Sequence, residues 1–262
     1  MSNDSQDECV SNEGMDDELK PNPGHQGDVY VDVDPLREDY RRSVSQARVV
    51  LDNFAKRNVA LLVIDLQYLD AAEGYGVFAP DRDHGVPAAA QKYYFDTLRE
   101  EVLPNVARLQ QAFRERGLEV IHTRIQSLTL DGRDRGAAHK RLQLHAAPGS
   151  KEAEFLPEVA PLANEIVINK TASGVFSSTN VDYVLRNLGI EALFMVGVYT
   201  NECVSTAVRD ACDLGYHTTL VQDACTTVTP DLQSSTLRVL RDRYARIMRT
   251  ASVIRELDRI CC

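Results

Sequence analysis

Three side chains in this chain together have the chemistry to break a carbonyl–nitrogen bond: Asp65, Lys170 and Cys203. Cys203 lies in Val196-Gly197-Val198-Tyr199-Thr200-Asn201-Glu202-Cys203-Val204, past the apolar run Ala192 to Val196 and ahead of the helical pattern Ser205 to Leu214. A thiol at the end of a buried strand and the start of a helix is expected to sit in a field that lowers its pKa and makes sulfur nucleophilic. The same corner also suits Cys203 as a small apolar filler. Asp65 follows Val59 to Ile64 and Lys170 follows Glu165 to Asn169, so all three fall at strand ends. A carboxylate there can take the thiol proton and later return it to a leaving amine, while a lysine ammonium stabilises the thiolate and orients the carboxylate. Backbone N–H groups at the helix start would meet a developing oxyanion. Singly, Asp65 reads as a cap and Lys170 as a solvated strand-end charge. Their convergence with Cys203 is what points to catalysis.

The elements that must position these groups alternate along the chain. Val59 to Ile64, Leu118 to Thr123, Glu165 to Asn169, Ala192 to Val196, His217 to Val221 and the short Ile247-Met248 read as six strands. Helical patterns fall between them at Ala88 to Arg116, Val181 to Leu188, Cys203 to Leu214 and Pro230 to Tyr244, and a last one runs from Ser252 to Ile260. Pro104 is expected to kink or split the first of these. Strand-helix repetition predicts a mostly parallel α/β sheet with helices on both faces, whose ligands bind beyond the carboxyl ends of the strands. Ahead of the core, apolar residues from Pro35 to Arg57 recur at helical spacing.

The 262 residues, 44% hydrophobic, suit one sizeable core. The charge of -10 is uneven. Residues 1–28 carry eight acids against Lys20 and few large apolar side chains, so they are expected to form a disordered acidic tail. Residues 29–262 form the folded domain, with a helix over about 35–57 and a core over about 58–260. No basic stripe suggests nucleic acid, and no apolar run approaches the roughly 18 residues of a membrane span. The six cysteines match no zinc or disulfide spacing, and the acidic start is no secretory signal. A cytoplasmic setting with free thiols follows as the expectation. The Cys261-Cys262 pair resembles a prenylation site, but no polybasic run precedes it.

Val63-Ile64-Asp65-Leu66-Gln67, Ile168-Asn169-Lys170-Thr171 and Gly197-Val198-Tyr199-Thr200-Asn201-Glu202-Cys203-Val204 resemble, in that order, the three signatures of the isochorismatase-like cysteine hydrolases. The similarity covers about residues 58–260. It implies a three-layer, Rossmann-like fold with a six-stranded parallel sheet in order 3-2-1-4-5-6, and a triad of Asp65, Lys170 and Cys203. It also implies a cis peptide at Val198-Tyr199, an oxyanion hole formed by the N–H groups of Tyr199 and Cys203, and a homodimer or homotetramer. Members of that family hydrolyse small amides or ureido compounds such as nicotinamide, N-carbamoylsarcosine, ureidoacrylate and biuret. Others of the fold cleave the enol ether of isochorismate and lack the cysteine.

The chain departs from that pattern at informative places. Nicotinamidases carry an Asp-x-His metal cluster after strand two, whereas His122-Thr123-Arg124-Ile125-Gln126-Ser127-Leu128-Thr129 has no such spacing. Neither a metal nor another cofactor is expected, and His139 and His145 read as surface or interface residues. Asp70 stands where many relatives have an aromatic, which is expected to make the pocket mouth more polar. Substrate-binding candidates are Gln67, which otherwise supports Asp65, and Arg124 and Gln126, which otherwise anchor the 125–148 loop. Phe176 is another, as a pocket wall or an apolar anchor. The resulting expectation is a cysteine hydrolase of a small ureido or carbamoyl compound. The alternatives are another hydrolase of the same fold, of isochorismatase or nicotinamidase type, or a catalytically silent binding or scaffold member.

Overall fold

The computed structural model describes residues 58–80, 82 and 85–260, together with residues 36, 37, 39 and 40, which are helical. The acidic segment 1–28, most of the expected helix 35–57 and the Cys261-Cys262 pair lie outside the described residues.

Six strands form one sheet: β1 (Val59–Ile64), β2 (Glu119–Ile125), β3 (Ile166–Lys170), β4 (Ala192–Val198), β5 (His217–Thr226) and β6 (Arg246–Met248). Their order is β3-β2-β1-β4-β5-β6, and every pairing is parallel. Central position explains the composition of β1 and β4. Each has neighbours on both edges and helices over its faces, so all thirteen of their residues are buried and the sequences VALLVI and ALFMVGV are continuously apolar.

The first crossover rises through α1 (Tyr68–Ala71), α2 (Ala88–Thr97) and α3 (Leu103–Glu115). Between α2 and α3 the backbone widens into an i→i−5 turn over Leu98–Val102 and then resumes. Pro104 therefore sits in the first turn of α3, directly after the widened turn. The interruption lies just ahead of the proline. Leu103, Val106, Leu109, Ala112 and Phe113 form the buried stripe of α3, and Phe113 meets Phe194 of β4 edge-on with centroids 5.6 Å apart.

The short α4 (Ala137–Arg141) lies in the connection from β2 to β3, and α5 (Val175–Ser178) and α6 (Val181–Asn187) connect β3 to β4. Beyond β4 come α7 (Ser205–Asp213), α8 (Pro230–Leu240) and α9 (Thr250–Ile260). Right-handed crossovers run in opposite directions on the two sides of β1, which distributes helices to both faces of the sheet. The strand order reverses between β1 and β4, the place where sheets of this kind bind ligands beyond their carboxyl ends.

Most elements differ in extent from their sequence patterns; β2 and β4 each run two residues further, to Ile125 and Val198. β5 runs to Thr226 through Gln222 and Asp223, polar residues that break the apolar run. Asp223 is used structurally: its Oδ1 accepts from the N–H of Thr250 at 2.8 Å and from its hydroxyl at 2.9 Å, which starts α9. Cys203 belongs to a separate i→i−5 turn, Thr200–Val204, that precedes α7. The helix expected to run to Tyr244 ends at Leu240, where Arg241 turns to an extended ψ of 133° and Asp242 follows with a left-handed φ of 67°. No helix among the described residues is long and apolar enough to cross a membrane.

Candidate active site

Asp65 is the first residue beyond β1 and turns the chain with a φ of 55°, a conformation that costs a non-glycine residue about 1 kcal/mol. β2 holds it at both ends. The Asp65 N–H donates to the Thr123 carbonyl at 3.1 Å, and the Thr123 hydroxyl donates to Asp65 Oδ1 at 3.0 Å. Lys170, the last residue of β3, starts two strands away, roughly 10 Å at ordinary strand spacing. A long side chain spans that gap beneath the end of β2. Its Nζ lies 2.8 Å from Asp65 Oδ2, donates to the Ala172 carbonyl at 3.0 Å and reaches Cys203 Sγ at 3.4 Å.

Cys203 arrives from the other side of β1, on the turn that follows β4. The Val198-Tyr199 peptide bond is cis, and the Tyr199 carbonyl accepts from Glu202 N–H at 3.0 Å and Val204 N–H at 3.3 Å. The Thr227 hydroxyl donates to the side-chain oxygen of Asn201, tying the turn to the end of β5. Asp65 and Lys170 are fully buried, and Cys203 is 4% exposed. Three chain segments from three strand ends thus bring a carboxylate, an ammonium and a sulfur into direct contact.

Burial sets the electrostatics of this cluster. It disfavours charge on Lys170, but the Asp65 carboxylate and then Cys203 outweigh that cost and hold the ammonium protonated beyond the ordinary lysine range. Burial pushes the Cys203 thiol up, Lys170 pulls it back, and Asp65 and Asp70 push it up again. The net direction is well above an ordinary thiol. This corrects the expectation of a lowered value, because loss of solvation outweighs the helix-start field that the sequence position suggests. The resting sulfur is a thiol that needs a base.

Asp70 also departs from expectation. Rather than lining a mouth, it is 4% exposed, on the four-residue helix α1. Its carbonyl accepts from the Tyr94 hydroxyl at 2.7 Å and the Tyr199 hydroxyl at 2.9 Å, while its Oδ2 has no hydrogen-bond partner among the described residues. Burial, and then the charge of Asp65, push its carboxyl well above the usual carboxylate range, against a smaller opposing pull from Lys170.

The other candidates are distributed unevenly. Gln67 is fully buried, and its amide nitrogen donates to the carbonyls of Ile125 at 2.9 Å and Glu152 at 2.8 Å. Its oxygen accepts from Ile125 N–H at 2.5 Å. Both amide hydrogens are spent on stapling loops beside Asp65, which leaves neither for a substrate. Arg124 donates to Asn169 Oδ1 at 2.8 Å and to the Ala153 carbonyl at 2.9 Å, and lies over the Phe155 ring. These contacts tie the end of β2 to β3 and to the 153–155 segment, through neutral partners rather than the expected salt bridge. Gln126 is half-buried next to that strand end, with its N–H donated to the Lys170 carbonyl at 3.0 Å. Phe176 packs on the core and faces Tyr216 at 6.0 Å, an apolar anchor between α5 and the start of β5.

The long connection after β2 is internally built. Asp134 accepts from the N–H groups of Leu128 and Thr129 at 2.7 and 3.1 Å and from the Thr129 hydroxyl, bonds that hold its carboxyl down to about 2. The connection docks on the residues after Lys170 through Gly136 N–H to the Thr171 carbonyl at 2.8 Å. His139, read from sequence as a surface or interface residue, is the buried residue of α4, 4% exposed. Burial and the nearby Lys170 charge push its imidazole down, so it is neutral at pH 7. His145 is half-buried, 3.2 Å from the Ser127 hydroxyl. Sequence reasoning missed Thr123, whose register opposite Ile64 places it beside Asp65, and missed the burial of Asp70 and His139.

Residues 59–252 match the isochorismatase domain. The chain belongs to the isochorismatase family. Within this family it is 26% identical over 164 residues to the N-carbamoylsarcosine amidase of an Arthrobacter, covering 61% of this chain and 62% of that protein. It is 37% identical over 92 residues to the ureidoacrylate amidohydrolase of Agrobacterium fabrum, covering 35% of this chain and 40% of that one. The matched stretch thus spans less than two thirds of either relative. The crystal structure of an isochorismatase family protein from Desulfovibrio vulgaris superposes with a TM-score of 0.63 at 26% identity, covering 77% of this chain and 99% of that one. The isochorismatase domain therefore contains all six strands and the three residues that meet at their ends.

Proposed function

We propose that this isochorismatase-family protein is a cysteine hydrolase that cleaves the C–N bond of a small ureido or carbamoyl compound through a thioester. The observation that carries the reading is the buried Lys170 ammonium, 2.8 Å from Asp65 Oδ2 and 3.4 Å from Cys203 Sγ. A fixed ammonium between carboxylate and sulfur lowers the cost of moving a proton from thiol to carboxylate, because the charge that forms on sulfur has its counter-ion already in place. The amidase and amidohydrolase relatives support the choice of an amide.

In this mechanism Asp65 takes the Cys203 proton as sulfur attacks the substrate carbonyl. The oxyanion of the tetrahedral intermediate is met by N–H groups of the turn after β4, for which Tyr199 and Cys203 are the candidates; N–H groups at a helix start lack intrahelical acceptors. Collapse breaks the C–N bond, and Asp65 returns its proton to the leaving nitrogen. A water then attacks the thioester, giving its proton to Asp65, and the carbon–sulfur bond breaks to regenerate the thiol. The product is a carboxylate, or a carbamate that loses carbon dioxide.

The test is ammonia or amine release from a panel of ureido and carboxamide compounds. Wild type is expected to turn over at least one of them, and Cys203→Ala none, with an acyl or carbamoyl adduct on the Cys203 peptide seen by mass spectrometry after rapid quenching. Equal rates in the two proteins would refute the nucleophile.

A further inference from the structure

Asp70 is the one buried acid of this centre, among the described residues, that the proposed mechanism leaves idle. It sits five residues beyond Asp65, on the short helix that the chain forms on leaving β1. Two buried tyrosines fix its backbone: Tyr94 from α2 and Tyr199 from the turn after β4 both donate to its carbonyl. Those rings pack on each other with centroids 5.3 Å apart, and Phe78 closes the group at 5.1 Å from Tyr94. The carboxyl so placed is 96% buried, and its Oδ2 has no hydrogen-bond partner among the described residues. A buried carboxyl oxygen without a partner costs free energy unless a ligand completes it. The ionisable groups that act on it or feel it are Asp65, Lys170, Glu202 and Cys203, which puts it within electrostatic reach of the reacting centre.

We propose that Asp70 is a specificity-determining residue that reads the N–H and C=O of a neutral carboxamide or ureido group presented to Cys203. The inference rests on the hydrolase reading above and adds to it the charge state of the substrate at this position. Desolvation and then the Asp65 charge push the Asp70 carboxyl well above the usual carboxylate range, which favours its protonated form. A protonated carboxyl presents one O–H donor beside one C=O acceptor, the complement of the acceptor and donor on an amide edge. A substrate carboxylate there would lie among Asp65, Glu202 and Asp70 with Lys170 already paired. A substrate ammonium would need Asp70 ionised, which burial opposes.

The test reads binding and requires no turnover. Methylurea, acetate and methylammonium are titrated into the Cys203→Ala protein and followed by NMR shifts, with Asp70→Leu and Asp70→Asn made in the same background. Methylurea is expected to bind at least about tenfold more tightly than either ion, and Asp70→Leu to weaken it by about tenfold or more. Asp70→Asn, which keeps a donor and an acceptor without a titrating proton, is expected to restore methylurea to within about threefold. Acetate or methylammonium binding as tightly as methylurea would overturn the inference, as would undiminished methylurea binding to Asp70→Leu. Should the leucine variant not fold, the asparagine variant decides: retained methylurea supports the inference, and lost methylurea refutes it. Methylurea selectivity in a protein that turns over no amide would defeat the hydrolase reading alone. Amide turnover with binding indifferent to Asp70 would defeat this inference alone.

Discussion

The ammonium of Lys170 lies 2.8 Å from Oδ2 of Asp65, and both side chains are fully shielded from water. A buried pair of this kind is dangerous to halve. Lys170→Met leaves an uncompensated carboxylate in the core, and the expected loss of stability is about 3–5 kcal/mol, read as a lower denaturant midpoint. Replacing both partners, Asp65→Leu with Lys170→Met, removes the unpaired charge and is expected to recover most of that loss. Hydrolysis should fall by about 1000-fold in the single and double variants alike. Stability and activity would then separate, which a purely structural ion pair does not predict.

The thiol gives a second prediction. Burial and the neighbouring carboxylates hold Cys203 protonated, so iodoacetamide should label it slowly at neutral pH, and its rate should still be climbing where an ordinary thiol has levelled off. Half-exposed Cys212 serves as the internal reference. Lys170→Met, which removes the positive charge that pulls the thiol down, should slow Cys203 labelling further. Peptide mapping across a pH series decides the matter: a Cys203 rate already at its plateau by pH 7 would show a lowered thiol instead.

The strand ends were legible in the sequence because buried parallel strands write themselves as continuous apolar runs. Val59 to Ile64 is the clearest case, and its boundaries in the structure are the same. β5 was only half legible: Gln222 and Asp223 look like a loop, and their place in the strand depends on Asp223 capping a helix that begins 27 residues later. The ionisation of the site was not legible at all. Whether Cys203 is acidic, or Asp70 charged, depends on how much water reaches them, and that is set by segments far apart in the chain. Tyr68-Leu69-Asp70 reads locally as a polar exit from β1. It is buried because Tyr94, 24 residues on, and Tyr199, 129 residues on, close over it. His139 was misread for the same reason, since a basic segment reads as solvated until it docks on the residues after Lys170.

A pH effect on stability follows from His122, on the other face of β2 from Thr123. Its Nε2 is 2.9 Å from Glu165 Oε2, and its Nδ1 has no partner among the described residues. Burial pushes its pKa down, against an upward pull from Glu165. Unfolded, the ring takes its proton near the ordinary value of about 6.5; folded, it does so only at lower pH. The unfolded state therefore binds more protons in that window. The contribution to stability is full above about pH 6.5 and is lost as pH falls through the depressed native value, at up to about 1.4 kcal/mol per pH unit. His122→Asn should flatten the acid limb of a denaturation series by up to that slope. An unchanged slope would place the titration elsewhere.

Gly197 supplies the last prediction, because it links strand packing to the position of the acid. It lies in β4 at a register shift against β5, with a φ of 115°, and a Cβ built there would stand 2.0 Å from the Ile64 carbonyl oxygen. That oxygen belongs to the peptide bond joining Ile64 to Asp65. Gly197→Ala must therefore push the end of β1 away from β4, adding a backbone clash to an already unfavourable φ. A loss of at least about 3 kcal/mol is expected, with activity reduced in whatever fraction folds, because Asp65 moves relative to Cys203. Gly215 separates the two costs. Its φ is 90°, yet a Cβ there meets nothing within 4 Å, so Gly215→Ala carries the conformational penalty alone, about 1 kcal/mol. Denaturant unfolding of both variants, with hydrolysis measured on the folded fraction, tests the comparison. Equal effects at the two glycines would mean that β1 and β4 can part without moving Asp65.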